Sequence, residues 1–93
     1  MLFRSVTGDI NLTLKKSDAN VFTGSVNLKK GDYSFKMNVN GTDFCNGTTI
    51  RNATTGIKYN SKYTSASTLA AVGGTYTFTY NAITNLLVIG YSK

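Results

Sequence analysis

Few side chains in this 93-residue sequence could catalyse a reaction. It has no histidine and no glutamate, its one cysteine is Cys45, and its carboxylates are Asp9, Asp18, Asp32 and Asp43. The common nucleophilic triads need an imidazole, which this sequence lacks. Zinc sites need several histidines or cysteines, and calcium sites prefer clustered carboxylates. A glycosidase would need two carboxylates flanking one cleft, whereas most of these aspartates lie in predicted turns, where they bond the backbone. We therefore expect a protein that is not an enzyme, with no catalytic residue, no metal and no cofactor, and with a buried free thiol.

The middle of the chain instead carries the residue types that bind neutral sugars. Residues 40–67 are rich in Gly, Asn, Thr and Ser and show no steady alternation, which is typical of loops that carry function. A sugar ring stacks on a flat aromatic face, while a few amides and charged groups bond its hydroxyls. The segment offers both kinds of group: Phe44, Tyr59 and Tyr63 beside Asn46, Arg51 and Asn52. The alternative for each ring is that it completes the core or covers its edge.

Alternation of polar and apolar residues, the period of a half-buried strand, dominates the rest of the sequence. It predicts strands at residues 21–28, 33–39, 75–80 and 86–91, and less regular ones at 2–7, 10–14, 48–51, 57–59 and 67–72. The first two strands, with a turn at 29–32, read as the clearest hairpin. Seven or eight short strands predict an all-β fold of two packed antiparallel sheets, with a small barrel as the alternative. The shared apolar face predicts one core: Phe22, Val26, Leu28, Tyr33, Phe35, Met37, Tyr76, Phe78, Leu87 and Ile89.

Charge and composition limit the kinds of partner that this protein could bind. The net charge of +6 favours polyanions non-specifically, but the lysines are spread out, and their doublets lie beside turns. A single-strand nucleic-acid binder would interleave basic and aromatic residues more densely, so nucleic acid is an unlikely partner. No apolar run approaches the roughly 20 residues that cross a bilayer, which predicts no membrane insertion. Abundant Asn, Thr, Ser and Tyr with only 15% charged residues is typical of exported β-modules.

Three runs of the sequence resemble a known group of modules. Residues 21–36 read VFTGSVNLKKGDYSFK, which is similar to the x-(F/Y)-x-G-x-V-x-L-x-x-G-x-Y-x-F-K core of the starch-associated modules beside bacterial pullulanases and amylases. Those modules are relatives of the glycogen-binding and isoamylase N-terminal domains. Residues 40–50 read NGTDFCNGTTI and residues 73–88 read GGTYTFTYNAITNLLV, similar to their N-G-T-W-x-G-N-x-x-T-I segment and closing hairpin. The resemblance covers about residues 20–90 in order.

The resemblance implies a fold and a setting. The fold is an immunoglobulin-like antiparallel β-sandwich of about seven to eight short strands. The setting is export from a Gram-positive bacterium within a larger starch-handling protein. Lys36 matches the lysine of the group, and at the position of its stacking ring the sequence has Asp43. Some of these relatives bind α-glucan, whereas others are spacers.

Together these observations predict that residues 1–93 are a single module of a larger secreted or cell-surface bacterial protein. Its partners would be an α-glucan, such as starch or maltooligosaccharides, and the neighbouring domains of the parent chain. The alternative is a structural spacer or protein-docking module. The residues expected to bind carbohydrate are Lys36, Phe44, Asn46, Arg51, Asn52, Tyr59 and Tyr63.

Overall fold

A computed structural model describes residues 4–93, which form ten β-strands and no helix. None of these residues therefore belongs to a helix that is long and apolar enough to cross a membrane. The all-β prediction is confirmed, with more strands than the seven or eight expected. The strands are β1 Arg4–Gly8, β2 Leu12–Asp18, β3 Val21–Leu28, β4 Gly31–Val39, β5 Thr42–Phe44, β6 Thr49–Arg51, β7 Thr54–Lys58, β8 Ser67–Ala71, β9 Gly74–Asn81 and β10 Leu86–Ser92.

The strands form one nearly closed sheet in the order β6-β8-β4-β1-β2-β3-β9-β10-β7, and β5 pairs beside β4. Strand β2 joins the two halves, because its first residues pair with β1 and its last residues pair with β3. The two ends of the path, β6 and β7, are separated in sequence only by residues 52–53. All named pairs are antiparallel except β6 with β8, which is parallel and departs from the wholly antiparallel arrangement expected.

The predicted hairpin of residues 21–39 is wrong in its pairing. Strand β3 pairs with β2 and β9, whereas β4 pairs with β1, β8 and β5. The turn between them therefore crosses from one half of the sheet to the other. Both strands nevertheless point apolar residues inward, as the buried rings of Phe22 on β3 and Phe35 on β4 show. The Phe35 ring makes an edge-to-face contact with the ring of Phe78 on β9, with centroids 5.6 Å apart. Alternation alone is the same for a hairpin and for such a crossover, so it could not identify the partners.

The core follows the predicted alternation. Eight of the ten predicted core residues are buried, and Val26 and Tyr33 are half-buried and packed against them. Strand β9 buries Tyr76, Phe78 and Tyr80 completely and turns its threonines outward. At roughly 25 cal/mol per Å² of buried apolar surface, large fully buried rings of this kind contribute strongly to folding. The core thus fixes the strands whose connecting loops form the candidate site.

Strand bounds agree closely with the sequence prediction where the alternation is long. Strand β3 has the predicted bounds, and β4, β8, β9 and β10 differ from theirs by at most two residues. The predicted strand at residues 2–7 overlaps β1, although residues 2 and 3 lie outside the described part of the chain. Strand β5, which has only one apolar residue, Phe44, was not predicted.

Candidate functional site

Two loops form an open depression on the surface, next to the start of β6. Residues 46–48, which lead into β6, line one side, and residues 62–65, from the loop between β7 and β8, line the other. The depression has a volume of about 560 Å³, which falls within the roughly 300–1,000 Å³ of small-molecule sites. Its lining is mainly hydroxyls, an amide and one aromatic ring, a mixture suited to a polar ligand that has a flat apolar face.

The aromatic ring of the depression belongs to Tyr63. It is 56% exposed, and among residues 4–93 it is the one aromatic side chain in the group of exposed large hydrophobic residues. The backbone that carries it is fixed nearby, since Lys62 donates its N–H to Oδ1 of Asn60 at 2.6 Å. Asn60 in turn forms an isolated antiparallel bridge with Cys45. The loop therefore holds an exposed ring on a short, anchored segment, and a ligand could stack on it without first displacing the core.

Asn46 organises the opposite wall. Its side-chain amide donates to the carbonyl oxygen of Lys58 at 2.8 Å, and its Oδ1 accepts the hydroxyl of Thr48. Its main-chain carbonyl accepts the hydroxyl of Ser67, a residue buried at the start of β8. Asn46 is thus half-buried and largely engaged in structure. An amide nevertheless has two protons and two lone-pair positions, so one of each is left for a ligand.

The two walls approach each other closely at Gly47. A Cβ built at this position would lie 3.0 Å from the Cβ of Ser65, which is tighter than nearly all real contacts. A side chain at this position would therefore require Ser65 to shift by a few tenths of an ångström. The absence of a side chain at Gly47 accounts for the close approach of the two loops.

Two of the seven predicted residues, Asn46 and Tyr63, meet in this depression, and Arg51 lines a second one beside it. The prediction for Tyr59 is wrong, because its ring is 1% exposed and packs in the core, with its centroid 6.4 Å from that of Phe35. Phe44 is half-buried and packs against the same core. For these two rings the alternative stated from the sequence, completion of the core, is the one observed.

Asn52 and Lys36 also lie outside the depression. Asn52 adopts a left-handed backbone conformation, with φ of 76°, in the turn between β6 and β7, and its Oδ1 accepts the buried hydroxyl of Tyr76. Lys36 lies on β4 with its ammonium 4.0 Å from the carboxylate of Asp43. Both partners of this ion pair are substantially exposed, so the pair contributes little stability. Asp43 thus engages the lysine that the resemblance carried over to this chain.

Other residues of the depression were not singled out from the sequence: Gly47, Thr48, Lys62, Thr64 and Ser65. They lie within residues 40–67, the segment expected to carry function, but hydroxyl and glycine residues are too common there to be distinguished. Lys62 is the one charged residue lining the depression in the described chain. The site is therefore weakly cationic, and no carboxylate within it could serve as a catalytic acid or base.

The thiol nearest this region has no sign of reactivity. Cys45 is 1% exposed, and burial raises the pKa of its thiol, while the charge of Lys36 opposes that change. A raised pKa leaves the thiol protonated and poorly nucleophilic at neutral pH. Within residues 4–93, no group of three or more His, Cys, Asp or Glu side chains could hold a metal ion. The chemistry available at the depression is therefore stacking and hydrogen bonding.

Comparisons with known proteins add no relative. Protein-family models, curated proteins and solved structures all lack a match to this chain.

Proposed function

We propose that this protein is a non-catalytic carbohydrate-binding module that recognises α-glucan at the depression between residues 46–48 and 62–65. The observation that carries the proposal is the exposed ring of Tyr63 beside hydroxyls, the Asn46 amide and the Lys62 ammonium. A pyranose presents a flat apolar face and a polar rim, and these groups complement both. The resemblance of residues 20–90 to starch-associated modules is what selects α-glucan among neutral sugars.

The wider setting is part of the same proposal. We infer that the two halves of the nearly closed sheet correspond to the two sheets of an immunoglobulin-like sandwich. The shared strand β2 and the contact between Phe35 and Phe78 support this correspondence. We further infer secretion by, or display on, a bacterial cell, within a larger amylolytic or starch-binding protein.

Binding should be weak and insensitive to salt. A shallow site with one stacking ring makes few direct hydrogen bonds and displaces ordered water, so we expect a Kd of roughly 10 µM to 1 mM. Sugars are neutral, whereas a nucleic acid bound by the same cationic protein would lose affinity steeply as salt rises. Calorimetry with maltoheptaose and with a poly-dT oligonucleotide, each at two salt concentrations, separates these two modes.

The sharpest test removes the ring. Tyr63→Ala should weaken maltoheptaose binding by about 1 kcal/mol or more, roughly fivefold, because the ring is the anchor of the site. Ile83→Ala is the matched control: Ile83 is 71% exposed in the turn between β9 and β10 and does not line the depression. Both variants should keep the wild-type unfolding midpoint. Equal affinity of the Tyr63→Ala variant and the wild type would show that the depression is not the sugar site.

One observation favours the second candidate, a spacer or protein-docking module. Asp43 occupies the position where the resembling group has its stacking ring, and it pairs with Lys36 and accepts a hydrogen bond from Asn38 at 3.3 Å. That surface therefore presents an ion pair and an amide where those modules present a stacking ring. No calorimetric signal with any α-glucan, together with no retention on insoluble starch, would select this candidate.

A further inference from the structure

A second depression adjoins the candidate sugar site along the open edge of the sheet. It lies between β6 and β7 and has a volume of about 390 Å³. Thr48 lines both depressions, so the two are neighbours with one residue as a common wall. From Thr48 the second depression extends along β6 to the turn at Ala53. Its lining combines small polar and apolar groups: Thr48, Thr49, Ile50, Arg51, Ala53, Thr54 and Ile57.

The shape of this depression follows from the topology. Strands β6 and β7 follow each other in sequence but join opposite ends of the sheet, β6 beside β8 and β7 beside β10. Asn52 holds the turn between them through its hydrogen bond from Tyr76, a residue of the core. Because the turn is tied inward, the two strands diverge from it and leave a gap between them. The gap is therefore part of the folded chain itself.

We propose that this second depression is a further subsite for the same glucan, so that the protein binds chains of several glucose units in preference to a disaccharide. The inference rests on the proposed function of the first depression. A chain stacked on Tyr63 and running past Thr48 would reach the exposed guanidinium of Arg51, which offers donors to sugar hydroxyls. The half-buried Ile57 supplies an apolar surface in the same depression. Within residues 4–93, no carboxylate lines either depression, which is consistent with a neutral ligand.

The experiment compares ligand length in matched variants. Calorimetry measures the Kd of maltose and of maltoheptaose for the wild type, Arg51→Ala, Lys62→Ala and Lys16→Ala. Arg51 lines only the second depression and Lys62 only the first. Lys16 lies exposed on β2 and serves as the control for the loss of one positive charge. All of the substituted residues have exposed side chains, and urea unfolding confirms that each variant is folded.

The proposal predicts a specific pattern of affinities. Maltoheptaose should bind the wild type more tightly than maltose. Arg51→Ala should weaken maltoheptaose binding about tenfold or more, the effect of losing one charge-assisted hydrogen bond, and leave maltose binding unchanged. Lys62→Ala should weaken both ligands by the same factor, and Lys16→Ala neither. Equal affinity for the two ligands, or an equal loss for both in Arg51→Ala, would overturn the second subsite while leaving the first intact. No binding of either ligand to the wild type would contradict the proposed function itself.

Discussion

A buried hydrogen-bond chain between Tyr59, Ser67 and Asn46 makes a quantitative prediction about stability. The Tyr59 hydroxyl lies 2.7 Å from Oγ of Ser67, and Ser67 donates its proton to the carbonyl oxygen of Asn46. Because Ser67 has one proton, the Tyr59 hydroxyl must be the donor to Ser67. Tyr59 and Ser67 are both almost fully buried, so water cannot replace a lost partner.

The two single substitutions remove different parts of this chain. Tyr59→Phe removes one donor and leaves the bond from Ser67 to Asn46, so it should cost about 1–2 kcal/mol. Ser67→Ala removes both hydrogen bonds and leaves the Tyr59 hydroxyl buried without a partner, whereas the Asn46 carbonyl still accepts the N–H of Thr48 at 2.8 Å. This substitution should cost about 2–4 kcal/mol. The double variant leaves no hydroxyl of this chain unpaired, because Tyr59 has lost its hydroxyl and the Asn46 carbonyl still accepts the Thr48 N–H. It should therefore be more stable than the sum of the singles implies, by at least about 1 kcal/mol.

Urea unfolding gives these differences from the shift in midpoint at constant slope. In a domain of this size, 1 kcal/mol also moves the melting temperature by about 4–8 °C. Tyr33→Phe is the control, because the Tyr33 hydroxyl donates to the carbonyl of Lys29 at 2.8 Å on the exposed surface; its effect should stay below about 0.5 kcal/mol. Additivity of Tyr59→Phe and Ser67→Ala within about 0.3 kcal/mol would refute the chain as a coupled unit.

Three further predictions concern glycine, tyrosine and cysteine. Gly74→Ala should cost about 2–4 kcal/mol in urea unfolding, because its Cβ would lie 2.7 Å from Cε1 of Tyr91 at a φ of 150°. Gly90→Ala, with no atom within 4 Å of the new Cβ, should be neutral or stabilising by up to about 1 kcal/mol, and an equal loss in both variants would contradict this reasoning. Burial raises the pKa of Tyr80 to about 12, against the opposing charge of Arg4, so the unfolded chain loses this proton near pH 10 while the folded chain keeps it. The free energy of unfolding should therefore fall between about pH 10 and 12, by at most about 1.4 kcal/mol per pH unit from this group, and Tyr80→Phe should reduce that slope. The thiol of Cys45 should resist an aromatic disulfide reagent at pH 8 until urea unfolds the chain, and rapid labelling of the native protein would show that the thiol is accessible.

The sequence predicted individual strands better than their partners. Alternation over residues 21–28 defines β3 completely, because burying Phe22 and Leu28 on one face needs only the period of a strand. The same alternation does not show whether β3 pairs with β4 or whether the chain crosses after β3 to the other half of the sheet. That choice depends on contacts such as those between β3 and β9, more than 45 residues apart in sequence. Outward-facing hydroxyls mark this pairing, for Ser25 and Thr77 lie 2.8 Å apart across the two strands.

The candidate site was predicted as a segment rather than as a set of residues. Tyr63 was identified because an aromatic residue among Asn, Ser and Thr stands out. Tyr59 was misplaced, although the alternation of Ile57 and Tyr59 contained a signal: both point inward, the first half-buried and the second fully buried. The hydroxyl partner of Tyr59, Ser67, lies in another strand, and its role depends on the tertiary fold. Thr48 and Lys62 carry no sequence signal of their own.

The open edge of the sheet bears on the choice between a sugar and a polypeptide as the ligand of the gap between β6 and β7. Unpaired edge strands invite the addition of another strand, and proteins prevent this with short strands or bulges. Here β6 has only three residues. In β7, the register with β10 shifts so that Thr54 to Ile57 opposes Leu87 to Ile89, one residue more on β7 than on its partner. Such a bulge interrupts the row of backbone donors and acceptors that an added strand would need. Both edges of the gap are therefore poor templates for a polypeptide, whereas side-chain hydroxyls and the Arg51 guanidinium remain available to a small polar ligand.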